Sequence, residues 1–312
     1  MLKYIGKRLL MMIPVILGIS FIIFAIMDLT PGDPARMVLG EGATPEAVEQ
    51  KREEMGLNEP FIVRYANFVC GVLRGEFPDS YVTNEPVSKE VVSRFPTTLK
   101  LALLGTALSA IVGVSVGIIS AVKQYSIIDS VSMITAMLLT SIPAFWMGLM
   151  LILLFSVKLD WLPATGIDTW KHFILPSISV AINTMASLIR LTRSSMLEVI
   201  RADYIRTAKA KGATEKHIVF KHALRNALLP VITQIGINFG LQLGGTIVIE
   251  QVFAIPGLGT LMINSVRSKD TPMVMMSITF VAIAAGIVNL IVDLLYTFID
   301  PRVKSSFVKA KS

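Results

Sequence analysis

From residue 9 to residue 27 the chain runs nineteen positions without a charged side chain. At 1.5 Å of rise per residue, a helix of that length crosses a hydrocarbon core of about 30 Å, where every backbone N–H and C=O must find its partner within the segment. Five further apolar stretches follow, at 101–122, 130–157, 174–189, 227–249 and 273–299. With 53% of its 312 residues hydrophobic and 16% charged, the chain carries more apolar surface than a soluble core absorbs. The expectation is an all-α integral membrane protein with six transmembrane helices. Lys3, Lys7 and Arg8 ahead of the first run would also suit a secretory signal, but Asp28-Leu-Thr-Pro-Gly32 follows instead of a small-residue cleavage site. The run is therefore read as the first transmembrane helix.

Six spans put both termini on one side, and the basic residues say which. That side holds seventeen Lys and Arg, nine of them in 190–225, whereas the short loops at 158–173 and 250–272 on the other side hold four. By the excess of positive charge in cytoplasmic loops, both termini are expected in the cytoplasm. The net charge of +7 is thus spent on topology rather than on binding nucleic acid. Residues 28–100 are the one long polar region, richer in acids than in bases, with helix-like patches at 45–55 and 61–73. They are expected to form a small external domain between helices 1 and 2. The division predicted is 1–27 for the first helix, 28–100 for the external (periplasmic) cap, 101–299 for a five-helix core and 300–312 for a cytoplasmic tail. Cys70 is the single cysteine, which excludes an internal disulfide, and it reads as a small buried apolar residue.

Residues 198–230 are polar where their neighbours are not. No Gly or Pro interrupts 194–211, and Gly212 then offers a left-handed helix stop. Thr214 can cap a second helix, with Glu215 in its first turn. Two short helices with a sharp bend at Gly212 are predicted, the second placing Ile218, Val219, Ala223 and Leu224 on one side and Lys216, Lys221 and Arg225 on the other.

Ala202-Asp-Tyr-Ile-Arg-Thr-Ala-Lys-Ala-Lys-Gly212, followed by His222-Ala-Leu-Arg-Asn-Ala-Leu-Leu-Pro230, resembles the coupling segment, or EAA loop, of ABC importer permeases. The dipeptide/oligopeptide branch, which also carries glutathione and nickel, is the nearest likeness. Thr207-Ala208-Lys209 stands where the general pattern begins Glu-Ala-Ala, and the gap from Gly212 to Leu229-Pro230 is longer than in the general form. Pro31-Gly-Asp-Pro34, Trp161-Leu-Pro-Ala-Thr-Gly166, Glu250 to Gly259 and Asp300-Pro-Arg302 resemble the same branch, so the likeness spans nearly the whole chain. The resemblance implies one permease subunit of an ATP-driven importer in the plasma (inner) membrane. Its implied partners are a second homologous permease subunit in a heterodimer, two cytoplasmic ATPases that bind the ATP and Mg, an external solute-binding protein and membrane lipid. It also implies that Tyr204, Arg206, Ala208, Gly212 and Leu224 transmit ATPase motion.

Inside the spans, Gln234, Asn238 and Gln242 recur every four residues and so share one side of a helix. That strip suits either a water-filled passage or hydrogen bonding between helices. Gly236, Gly240 and Gly244 leave a second stripe bare for close packing, either within the chain or against another subunit. Gly113 and Gly117 repeat the device once. Pro143 is expected to kink the third span. No G-x-x-x-x-G-K-[ST] cradle and no H-E-x-x-H pair occurs, so no catalytic residue, metal ligand or cofactor of the chain's own is expected. An ion-coupled carrier, the rival reading, would want acids at mid-membrane, and Asp293 is the only one well inside a span.

Overall fold

A computed structural model describes residues 2–214 and 217–299. Among them every regular element is helical. Five helices are long and apolar enough to cross a membrane, six if one bent pair counts as a single span. The expected tail at 300–312, the Asp300-Pro-Arg302 motif and the first turn at Glu215 and Lys216 lie outside the described residues. Two compact units result, one comprising Met1–Thr98 with Ile255–Gly286, the other Leu99–Ala254 with Ile287–Ser312.

In the first unit α1 (Leu2–Leu29) leads to three short helices, α2 (Pro34–Leu39), α3 (Pro45–Glu54) and α4 (Phe61–Arg74). Their starts are written in the sequence: Asp33 and Thr44 accept hydrogen bonds from the N–H groups of Ala35 and Ala47, and a proline follows each cap. Phe21 and Phe24 of α1 stack against Phe61 and Tyr65 of α4, and the Tyr65 hydroxyl donates to the Leu17 carbonyl at 2.9 Å. Only 11% of the apolar window of α1 is buried. An apolar helix that leaves so much side chain uncovered suits a nonaqueous surrounding.

The rest of this unit is the start of α5 (Val87–Val122), α12 (Leu258–Arg267) and the first half of α13 (Thr271–Ile299). Val87, Val91, Leu258, Met273 and Met276 form its buried core. Buried Lys269 donates Nζ to the carbonyls of Met27 and Thr30, two of the orphan acceptors where α1 ends. Burial lowers its pKa from the ordinary lysine value. Cys70 corrects an expectation: it is exposed, on the outer side of α4. Apolar character alone did not reveal that α4 turns only part of its surface inward.

The second unit is built around α8 (Ile174–Ile200), whose apolar window is 56% buried. Packed on it are α6 (Ile127–Ser141), α7 (Ala144–Leu151) and α10 (Leu224–Gly245). A Cβ on Gly113 would lie 2.8 Å from Leu188 Cβ, and one on Gly117 would lie 2.6 Å from Thr192 Cβ, so these glycines let α5 approach α8 closely. Gly113-Val-Ser-Val-Gly117 also spells the letters of a G-x-S-x-G nucleophile turn. It lies in the interior of α5, without the strand-to-helix turn that would expose a serine.

Four expected spans differ in the structure. The second begins at Val87 rather than at 101, so α5 reaches back into the stretch expected to be external. The third is broken rather than kinked: α6 and α7, which continues through a π-helical turn at Ile152–Lys158, meet at 101°. Pro143 holds the preceding Ile142 extended, at φ −92° and ψ 123°, which ends the helix outright. Near the end of α6 two hydroxyls converge on one carbonyl, Thr140 Oγ1 reaching Met137 O at 2.8 Å and Ser141 Oγ reaching the same oxygen at 3.1 Å. The fourth span is longer than 174–189 because α8 continues past Arg190 and Arg193 to Ile200. The fifth ends at Gly245, and Ile247–Val252 is a separate short helix, α11.

Candidate coupling site and polar pathway

Beyond Ile200 the helix breaks at Arg201 and Ala202, and α9 (Asp203–Ala210) sets off in a new direction. No Gly or Pro marks this break; an extended Ala202 makes it, at φ −67° and ψ 148°. At the far end Gly212 adopts φ +82°. The N–H of Ala213 reaches back to Ala208 O at 3.2 Å and that of Gly212 to Lys209 O at 2.9 Å, the paired bonds of a glycine-terminated helix. A residue with a Cβ is strained in that left-handed conformation, so the glycine fixes where the chain turns.

Thr214 caps the returning arm, its Oγ1 accepting from His217 N at 3.4 Å. The return begins with a π-helical turn, Ile218–Ala223, and passes directly into α10. The second arm is therefore not a separate short helix: it is the root of a membrane helix, and Pro230 is accommodated inside it. Ile205, Ile218 and Ala223 are buried. Val219, Ala223 and Ala227 close on Ala121 of α5 and Met196 of α8, with Leu224 packed against the group. The elbow is thus rooted in three membrane helices.

Its exposed surface carries Tyr204, Arg206, Lys209, Lys211, Phe220, Lys221 and Arg225, together with Asp203, whose carboxylate lies 3.8 Å from Arg206. Phe220 at 66% exposure is an apolar ring left uncovered among cations. Of the five residues expected to transmit motion, Tyr204, Arg206 and Gly212 lie on this surface, Ala208 is half-buried and Leu224 belongs to the packed root. Sequence reasoning passed over Phe220, and Asn226, whose Nδ2 donates to Tyr204 Oη across the elbow at 2.9 Å. Both residues lie within the segment that had been singled out.

The polar strip on α10 divides. Gln242 is buried between helices, accepting from Thr106 Oγ1 of α5 at 2.8 Å and donating to Thr184 Oγ1 of α8 at 3.0 Å. It serves the helix-packing alternative. Gln234 and Asn238 are half-buried and joined to each other at 2.9 Å, and Asn238 Nδ2 has no partner among the described residues. The bare stripe divides as well. A Cβ on Gly236 would stand 2.3 Å from a methyl of Val292, and one on Gly240 would stand 3.1 Å from Asn289 Oδ1, both on α13, whereas Gly244 is exposed. The stripe's first two members serve packing within the chain.

Residues 113–305 match the family described as binding-protein-dependent transport system inner membrane component, and residues 1–102 match the N-terminal part of the same description. The chain is a permease of this family. It is accordingly a multi-pass inner-membrane protein and the permease subunit of an ABC importer, a transport component rather than an enzyme. Similar relatives include the glutathione transport system permease proteins GsiC of Escherichia coli (strain K12) and Salmonella typhi. Each is 41% identical over 304 residues, covering 97% of this chain and 99% of the relative. Among solved structures, a chain of the MetNI methionine ABC transporter in an inward-facing conformation shares the fold at a TM-score of 0.59. Its identity is 18%, and the match covers 69% of this permease and 99% of that chain. An amino acid ABC transporter solved with histidines gives a TM-score of 0.52 at 17% identity.

Proposed function

We propose that this permease passes short peptides, glutathione among them, from an external binding protein to the cytoplasm, and that the elbow at 203–226 is its contact with a cytoplasmic ATPase. The elbow's form carries the reading. An exposed surface rich in cations, with one bare aromatic ring, is held on a root shared with α5, α8 and α10, so a push on it is a push on the membrane helices. Such a contact does work only if it differs in free energy between outward- and inward-facing states, which a closing ATPase pair provides. Likeness to GsiC over nearly the full length favours a small peptide as cargo. The half-buried Gln234–Asn238 pair offers amide donors and acceptors suited to a peptide backbone. In this reading the region 28–100 faces outward and receives the binding protein, both termini are cytoplasmic, and a second permease subunit completes the passage.

Uptake by the assembled transporter tests the proposal. Proteoliposomes containing the permease pair and ATPases, supplied with the binding protein, should accumulate labelled glutathione or dialanine only with internal-face ATP. Uptake driven equally well by an ion gradient without ATP would reject it.

A further inference from the structure

Arg193 of α8 forks onto Asp129 of α6, with Nε to Oδ1 at 2.6 Å and Nη2 to Oδ2 at 2.7 Å. The carboxylate is 5% exposed. Ser120 Oγ of α5 donates to it at 2.5 Å, and the N–H of Tyr125 donates at 2.9 Å. Tyr125 itself sits at φ +65°, a costly conformation for a tyrosine, and the turn that requires it aims this N–H at Asp129. Three helices and the turn between two of them therefore converge on one carboxylate.

The place of this convergence gives it a role. Ser120 precedes Ala121, and Arg193 stands one turn before Met196; Ala121 and Met196 are the α5 and α8 members of the cluster that roots the elbow. At the other end of α6, Arg190 Nη1 reaches Thr140 Oγ1 at 3.2 Å, beside the 101° break. Thus α8 grips α6 near both ends. Apolar side chains would hold helices together as firmly at a lower desolvation cost, but a bidentate fork also fixes register and orientation.

We propose that Asp129 and Arg193, closed over Ser120, are positioning residues that lock α6, α8 and the end of α5 into one rigid body, so that displacement of the elbow reaches the bent helix pair α6–α7 undiminished. The inference rests on the reading of the elbow as the ATPase contact.

Two measurements on the complete transporter judge it. First, Asp129→Asn and Arg193→Lys, the latter keeping the charge and losing the fork, are compared for cargo moved per ATP hydrolysed. The probe is whichever of glutathione or dialanine the wild type accumulates. A roughly tenfold fall in that ratio, with ATPase association and hydrolysis retained, is expected. An unchanged ratio, with uptake and hydrolysis merely falling together with the amount of folded complex, overturns the lock. Second, spin labels at Val131→Cys and Ser194→Cys, both exposed sites, are placed in a Cys70→Ser background with the ion pair intact. Their separation should stay within about 2 Å between nucleotide-free and vanadate-trapped states, and a slip of about one helical turn, roughly 5 Å, overturns the proposal. An ATPase found bound away from the elbow would defeat the coupling reading instead, and the label separation would still decide whether α6 and α8 move as one.

Discussion

Asn226 Nδ2 donates to Tyr204 Oη at 2.9 Å, tying the outgoing arm of the elbow to the root of α10. The bond spans the turn at Gly212. Tyr204→Phe keeps the ring and removes the tie, at a cost of about 1 kcal/mol for an exposed neutral hydrogen bond. Uptake should fall a few-fold with ATPase association retained. Asn226→Ala should do the same, and the double variant should be no worse than either, because both remove one interaction. Additive losses would mean that the two residues act separately.

The two ends of the glycine stripe should respond differently. At Gly236 a methyl group must displace Val292, whose Cβ and both methyls lie within 3 Å of it, so Gly236→Ala should destabilise by about 1–3 kcal/mol. Val292→Ala should restore much of that loss. Gly244→Ala, at an exposed position, should be tolerated. Thermal unfolding of the purified complex reads both, and the reverse order would refute packing of α10 on α13 through this stripe.

The strip of amides separates stability from transport. Gln242→Leu leaves Thr106 and Thr184 without their shared partner and should lower stability by about 1–3 kcal/mol without changing which peptide is preferred. Gln234→Ala and Asn238→Ala should instead alter the half-saturating peptide concentration at nearly unchanged stability. Altered peptide preference in Gln242→Leu would return that residue to the pathway.

Cys70 is exposed and is the chain's only cysteine, which makes the native protein its own topology probe. A membrane-impermeant maleimide should label it from outside in cells stripped of any outer barrier. Labelling that requires opening the inner membrane would invert the orientation deduced from the basic loops.

What the sequence made legible is what depends on neighbours along the chain. Long uncharged runs announced membrane helices, and Gly212 announced the elbow because only glycine adopts its conformation without strain. What it concealed depends on partners far away. The expected fourth span stops at 189, before Arg190 and Arg193, yet α8 carries both onward, with Arg193 paired to Asp129, sixty-four positions earlier. Pro143 announced a disturbance, but its severity, a 101° break, follows from a tertiary environment in which two separate helices both pack on α8. The α8–α9 break at Ala202 has no composition signal. Gln242 and Asn238 look alike in sequence and part company only because Thr106 and Thr184 come within reach of the first.

The account stands on the elbow being where the ATPase takes hold, and Phe220 is its uncovered ring. Replacing Phe220 by the photoreactive p-benzoylphenylalanine in the intact transporter, with Ile62 of α4 replaced likewise as the control, tests this by the identity of the covalent adduct. The prediction is an adduct with the ATPase from position 220 and none from position 62. An ATPase adduct from position 62, with none from position 220 in a complex that still hydrolyses ATP, would contradict it.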